Sequence, residues 1–195
     1  MLGTLMFCSK LLMEFLPNIH LLGMFIMVFT ITYRVKALIP IYIFVFLTGI
    51  YGGFTMWWVP YLYIWTVLWG ITMLLPKNMP TAAKMVVYPV VCCLHGLLYG
   101  VLYAPMQALM FRFSFEQTLT WIASGFYFDL LHGIGNFITG LFILPLSKLE
   151  GKSQIVIGFG CTGGHHRSVT FAEIFNDFMD SLGYRTTVNH RDCFK

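Results

Sequence analysis

The chain has 195 residues, of which 58% are hydrophobic, 17% are aromatic and only 10% are charged. Its mean hydropathy of +0.76 excludes an ordinary water-soluble domain for most of the chain and predicts a membrane environment. Nine charged residues lie in the first 147 positions and eleven in the last 48. We therefore predict a transmembrane domain over residues 1–147 and a soluble segment over residues 148–195.

The charged residues of the first part fall mostly between six apolar stretches, which we predict to be transmembrane helices. The first is short, and several contain fewer than the roughly 20 residues that cross the hydrocarbon core of a bilayer. A signal peptide is the alternative for the first stretch, but the basic start and small-residue cleavage site of such peptides are missing. The stretches are residues 2–16, 19–33, 37–54, 59–75, 82–109 and 118–146.

Basic residues predict the orientation, because lysine and arginine in short loops stay on the cytoplasmic side of a membrane. Here they follow the second, fourth and sixth stretches, and only Arg112 departs from the pattern. We expect a multi-pass protein of the cell membrane with both termini in the cytoplasm. The residues concerned are Arg34, Lys36, Lys77, Lys84, Lys148 and Lys152.

Polar and small residues of the sixth stretch recur at steps of four, three, four and four, and so share one helix face. A polar face at membrane depth points into the protein. It is either a seam satisfied by neighbouring helices, with glycines that allow close packing, or the wall of a ligand pocket that His95 would also line. The residues are Gly125, Asp129, His132, Asn136 and Gly140.

Residues 52–65 form the most aromatic part of the chain and lie in a predicted outer connection. Two interpretations stay open for Trp57, Trp58 and Tyr61. They belong either to an aromatic belt at the membrane surface or to a lid that stacks on a flat organic molecule.

Residues 1–147 resemble the substrate-binding S component of energy-coupling factor (ECF) transporters, small membrane proteins with six helices. The resemblance follows from the order of the stretches and from three local sequences. These are FLPNIHL at residues 15–21, WWVPYLYIW at residues 57–65 and FDLLHG at residues 128–133.

The resemblance implies capture of a vitamin or related micronutrient by a subunit that is not itself an enzyme and uses no cofactor. A transmembrane coupling subunit would dock on Gly3, Thr4 and Cys8, and two cytosolic ATPase subunits would supply energy. Metal uptake is an alternative that uses four of the implied site residues, although no ligand-spacing motif supports it. The implied substrate site contains Asn18, His20, Trp57, Trp58, Tyr61, His95, Asp129, His132 and Asn136.

The soluble segment predicts a small strand-helix-strand unit. Residues 154–159 and 185–189 have the pattern of strands, and residues 168–182 that of an amphipathic helix that follows a glycine-rich turn. A turn of this kind before a helix favours binding of a phosphate group, to which Arg167 could add a bidentate contact. The spacing of Cys161 and Arg167 also fits a cysteine phosphatase, although the usual preceding histidine is absent.

Residues 150–192 resemble the C-terminal end of the RapZ/YvcJ family of RNase adapter and nucleotide-binding proteins. The motifs are GKSQ at residues 151–154, GCTGG at 160–164, HRSV at 166–169 and NHRD at 189–192. The alternative function is therefore a nucleotide- or phosphosugar-binding regulator tethered to the membrane, with RNA as a less favoured partner of the tail. The implied phosphate-binding residues are Cys161, Thr162, Gly163, Gly164, His166, Arg167 and Ser168.

Overall fold

The computed structural model of the chain describes residues 1–16, 18–150, 157, 167–181, 183 and 186–188. The chain divides into two compact units, which are Met1–Lys152 (unit 1) and Ser153–Lys195 (unit 2).

The described residues of unit 1 form eight α-helices joined by short connections. Helix ends follow from local chemistry: α3 stops at Gly53, whose φ of 87° suits glycine, and α7 starts with a capping box. In that box the Gln117 backbone N–H donates to the Ser114 hydroxyl oxygen over 3.2 Å, and the Ser114 backbone N–H donates to the Gln117 side-chain oxygen over 2.8 Å. The helices are α1 (Leu2–Leu12), α2 (Leu22–Tyr33), α3 (Leu38–Gly52), α4 (Tyr61–Leu74), α5 (Thr81–Leu97), α6 (Tyr99–Phe111), α7 (Phe115–Gly140) and α8 (Ile143–Glu150).

The predicted fold class of six transmembrane helices is wrong. The predicted fifth stretch is divided between α5 and α6, and the sixth between α7 and α8. Within the described ranges, two helical stretches, Leu22–Gly52 and Thr81–Phe111, are long and apolar enough to cross a membrane. The other helices of unit 1 are too short or insufficiently apolar to meet that requirement.

The interior of unit 1 is built on close contact between α5 and α7. A Cβ atom at Gly96 would lie 2.8 Å from the carbonyl oxygen of His132, and one at Gly140 would lie 2.8 Å from the Pro89 Cα. Only glycine permits this backbone approach. At Gly125, in contrast, no atom lies within 4 Å of such a Cβ, so the predicted packing role of the α7 glycines does not extend to that residue.

Large apolar side chains lie both inside unit 1 and on its surface. Ile64 and Phe44 are completely buried, whereas Leu74 is 85% exposed and Ile39 and Val86 are each 63% exposed. A protein surrounded by water rarely presents apolar area in this amount.

Unit 2 contains the helix α9 (Arg167–Ser181). After it, Gly183 adopts a φ of 82°, and the Thr186 hydroxyl donates to the Asp180 carboxylate over 2.6 Å. Ile157 and residues 186–188, the described parts of the two predicted strands, are not in a strand. The strand-helix-strand prediction is therefore wrong for the part of unit 2 that the structure describes, and the other residues of both predicted strands lie outside it.

Candidate functional site

Three histidines from different parts of the sequence meet inside unit 1. The ring centroids of His20 and His132 are 4.6 Å apart, and those of His132 and Tyr99 are 4.8 Å apart. Trp65 completes the group, with its ring centroid 5.9 Å from that of His95 and 6.0 Å from that of His20. The five residues that we name the histidine cluster are His20, Trp65, His95, Tyr99 and His132.

Several polar atoms in and beside the histidine cluster are buried without a hydrogen-bond partner among the described residues. His95 Nε2 lies 3.1 Å from the Ile64 carbonyl oxygen, and the Asn136 amide nitrogen donates to the Cys92 carbonyl over 3.2 Å. Their remaining polar atoms are unsatisfied, at a cost of about 1 to 3 kcal/mol for each buried group. The unpartnered atoms are His20 Nδ1, His95 Nδ1, His132 Nε2, Asn136 Oδ1 and Trp65 Nε1.

The chemistry of the histidine cluster favours neutral rings. Burial of its imidazole lowers the pKa of His20 from 6.5 to about 4, so that at pH 7 the ring offers one donor and one acceptor nitrogen. No group of three or more His, Cys, Asp or Glu side chains within the described ranges is arranged to hold a metal ion. The arrangement is therefore suited to polar neutral contacts, while the ring-to-ring contacts mean that a ligand would have to displace side chains.

Asp129 lies outside this cluster and has a different partner. Its side chain is 7% exposed, and its carboxylate accepts a hydrogen bond of 3.0 Å from the backbone amide of Gly100. Gly100 lies in the first turn of α6, where backbone amides have no partner within the helix. This contact joins α7 to the junction of α5 and α6, which is a structural role for a residue predicted to bind substrate.

The predicted aromatic lid is tied to neighbouring helices. The Trp58 indole nitrogen donates to the Val45 carbonyl over 2.8 Å, and the Tyr103 hydroxyl donates to the Trp57 carbonyl over 2.7 Å. Tyr61 contacts the Trp65 ring at a centroid distance of 5.6 Å, so it borders the histidine cluster.

Asn18 is separate from these residues. It is exposed and has a φ of 58°, a conformation that asparagine tolerates in turns. The structure therefore gives it a role in the turn between α1 and α2.

The three predicted docking residues of α1 do not form one exposed surface. Thr4 and Cys8 are exposed, but Gly3 is buried. A Cβ atom there would meet the Pro40 carbonyl oxygen at 2.7 Å, so Gly3 allows α1 to pack on α3.

The predicted phosphate-binding turn lies mostly outside the described residues, since Cys161, Thr162, Gly163, Gly164 and His166 all do. The remaining two, Arg167 and Ser168, are the first residues of α9. The N-terminus of a helix favours an anion through its free amides and its dipole.

Trp65 and Tyr99 are members of the cluster that the sequence interpretation missed. The signal was spacing: Trp65 follows Tyr61 by four residues and Tyr99 follows His95 by four. Residues four apart in a helix lie on the same face, although α5 ends between His95 and Tyr99.

Residues 130–194 match the family described as the RapZ C-terminal domain. A nucleotide-binding protein of Lysinibacillus sphaericus is 57% identical over 51 residues, which are 26% of this chain and 17% of that protein. The nucleotide-binding protein YvcJ of Bacillus subtilis is 57% identical over 54 residues, 28% of this chain and 18% of YvcJ. A Caldicellulosiruptor bescii nucleotide-binding protein is 49% identical over 55 residues, 28% of this chain and 19% of that protein.

The chain thus spans less than a fifth of the length of each of these three relatives. No solved structure matches it. The predicted resemblance of the C-terminal segment to the RapZ/YvcJ family is confirmed, and the family match starts 20 residues earlier than predicted, at residue 130 inside α7.

These matches correct the predicted importer. The matched region includes the second half of the predicted sixth membrane span, and the three relatives are named for nucleotide binding rather than for transport. The predicted transport role, coupling subunit and ATPase partners are therefore wrong, and no match supports the resemblance to an S component. The alternative, a RapZ-like protein, is favoured.

Proposed function

We propose that the chain is a membrane-attached binding protein whose C-terminal segment binds a nucleotide or a phosphorylated sugar. The observation that carries this proposal is the match of residues 130–194 to the RapZ C-terminal domain, with 57% identity to YvcJ over 54 residues. The proposed role is binding and regulation, without catalysis by this chain.

The apolar character of unit 1 supports attachment to the membrane. Leu22–Gly52 and Thr81–Phe111 each contain 31 residues and exceed the roughly 20 needed to cross the hydrocarbon core. Large side chains such as those of Leu74 and Ile39 are exposed around them, as expected where the surrounding medium is lipid.

The start of α9 supports a phosphate-bearing ligand. Arg167 and Ser168 follow the sequence GCTGG at residues 160–164 and begin a 15-residue helix. Backbone amides at such a start bind phosphate oxygens, and the planar guanidinium of an arginine can contact two of them at once.

Calorimetric titration of the full chain in detergent tests the proposal, with ATP, GTP and a hexose phosphate as separate probes. At least one probe should bind. Arg167→Ala should weaken that binding roughly 10- to 100-fold, the effect of losing a charge-assisted hydrogen bond. Arg185→Ala removes the same charge outside the predicted turn, and we expect it to leave the affinity within about twofold.

Absence of binding for all three probes, or equal weakening by both arginine variants, would contradict the proposed site. Release of inorganic phosphate from the hexose phosphate would contradict the non-catalytic role. That result would favour the cysteine phosphatase alternative, and Cys161→Ser would then have to abolish the release.

A further inference from the structure

Unit 1 contains a second polar site that shares no residue with the histidine cluster. It is a cavity of about 320 Å³ between the end of α2, the end of α4 and the start of α5. Three cationic side chains line it, one from the connection after α2, one from the connection between α4 and α5, and one from the first turn of α5. We name it the basic cavity; its lining is Ile31, Arg34, Thr72, Leu75, Pro76, Lys77, Lys84 and Tyr88.

Arg34 is held in place at the edge of the basic cavity. Its guanidinium donates to the Met73 carbonyl over 3.1 Å, and its own carbonyl accepts from the Trp69 indole over 3.1 Å. Its backbone has a φ of 56° and a ψ of −121°, a conformation that costs on the order of 1 to 3 kcal/mol in a non-glycine residue. These contacts therefore hold the Arg34 side chain at the edge of the cavity and offset the cost of its backbone conformation.

The basic cavity lacks a matching negative charge. No acidic residue is among those that line it, and in the described part of the chain Arg34, Lys77 and Lys84 form no ion pair. Tyr88 is only 5% exposed, and its hydroxyl has no hydrogen-bond partner within the same described residues. A cavity with three positive charges and an unpartnered hydroxyl offers an anion both charge and a directed donor.

The surroundings of the basic cavity are apolar. Val35 is 60% exposed, Leu74 is 85% exposed and Met85 is 61% exposed. Each is adjacent in sequence to a residue that lines the cavity. Basic pockets beside apolar helices are the usual binding sites for anionic lipid headgroups, with acyl chains lying along the apolar side chains.

We propose that the basic cavity binds a phosphate group, carried either by an anionic phospholipid or by a soluble phosphate compound. The lipid source rests on the proposed membrane location, whereas the phosphate chemistry rests only on the cavity. The site is independent of Arg167 and of the ligand proposed for unit 2.

The experiment measures lipid retention and phosphate binding on the purified full chain. Native mass spectrometry counts phosphatidylglycerol and phosphatidylcholine retained from mixed micelles, and a thermal-shift titration compares sodium phosphate with sodium chloride at equal ionic strength. The test variant is Lys77→Gln with Lys84→Gln, and Tyr88→Phe removes only the hydroxyl. Lys36→Gln is the matched control, because Lys36 is an exposed cation two residues from Arg34 that does not line the cavity.

The lipid source is supported if the chain retains phosphatidylglycerol in preference to phosphatidylcholine. This retention should fall roughly fivefold for each lysine removed and should be unchanged in Lys36→Gln. Stabilisation by sodium phosphate without lipid selectivity, lost in the double variant, supports a soluble phosphate. Tyr88→Phe should weaken either form by a further factor of roughly five, the effect of one hydrogen bond.

Equal retention of both lipids together with no effect of phosphate would overturn the proposal, as would an equal loss in Lys36→Gln. Nucleotide titration of the double lysine variant distinguishes failure of the basic cavity from failure of the ligand site proposed for unit 2. Nucleotide binding to unit 2 should be unchanged when the basic cavity alone is altered.

Discussion

Units 1 and 2 distribute their apolar side chains differently. In unit 1, large apolar residues lie on all sides of the helices, so that Ile64 is completely buried while Ile39 on a neighbouring helix is 63% exposed. In α9 of unit 2, the exposed apolar residues Phe171, Ile174 and Phe178 are spaced by three and four and share one face. The first pattern is typical of helices in an apolar medium, and the second of an amphipathic helix in contact with water, whose apolar side chains are partly exposed.

Substitution of one isoleucine in each unit should give the largest difference in the free energy of unfolding. Ile64→Ala removes a fully buried side chain and should lower the free energy of unfolding by about 2 to 5 kcal/mol. Ile174→Ala removes a side chain that is 61% exposed and should change it by less than about 0.5 kcal/mol. Circular dichroism during thermal unfolding in detergent measures both variants.

The same pair also shows how the contrast would fail. If Ile174→Ala destabilises the protein as much as Ile64→Ala, the apolar face of α9 is buried in the intact protein, and the two units do not differ in the way described. Tryptophan fluorescence assigns the unfolding step, because all five tryptophans lie in unit 1.

Substitutions of two glycines test the close contact between α5 and α7 in unit 1. Gly96→Ala would place a Cβ 2.8 Å from the His132 carbonyl oxygen and should destabilise unit 1 by about 1 to 3 kcal/mol, because α5 and α7 must separate. Gly125→Ala has no atom within 4 Å of the new Cβ and should be neutral or stabilising by up to about 1 kcal/mol. Equal midpoints of thermal unfolding for both variants would contradict the close α5–α7 contact.

Asp129 provides the smallest of the three effects. Asp129→Ala removes the acceptor of the Gly100 amide and should cost about 1 to 2 kcal/mol. Asp129→Asn keeps an acceptor oxygen and should retain most of that stability. Chemical denaturation followed by tryptophan fluorescence compares the two, and equal loss in both variants would show that the carboxylate charge matters rather than the hydrogen bond.

The sequence predicted much of where the helices of unit 1 lie, because charged residues and the Pro17–Asn18 pair separate the apolar stretches. It did not predict the break between α5 and α6. The amide of Gly100 finds its acceptor in Asp129, 29 residues away, and such a contact is not visible in local periodicity.

The candidate sites show the same limit. Spacing placed Asp129, His132 and Asn136 on one face of a helix, but Asp129 contacts a backbone amide while His132 contacts His20 and Tyr99. The basic cavity was present in the sequence only as basic residues in two connections predicted to lie on the same side. In unit 2, by contrast, the motifs alone identified the related family, because short sequence motifs need no tertiary context to be recognised.

The most direct test of the account is to identify the small molecule that stays bound to the full chain after gentle purification in detergent. Mass spectrometry of the extract should detect a nucleotide or a phosphorylated sugar with the wild-type chain, and the same compound should be strongly reduced with Arg167→Ala. Retention of a compound without phosphate, or of equal amounts of the phosphate compound by both chains, would contradict the proposed function of the C-terminal segment.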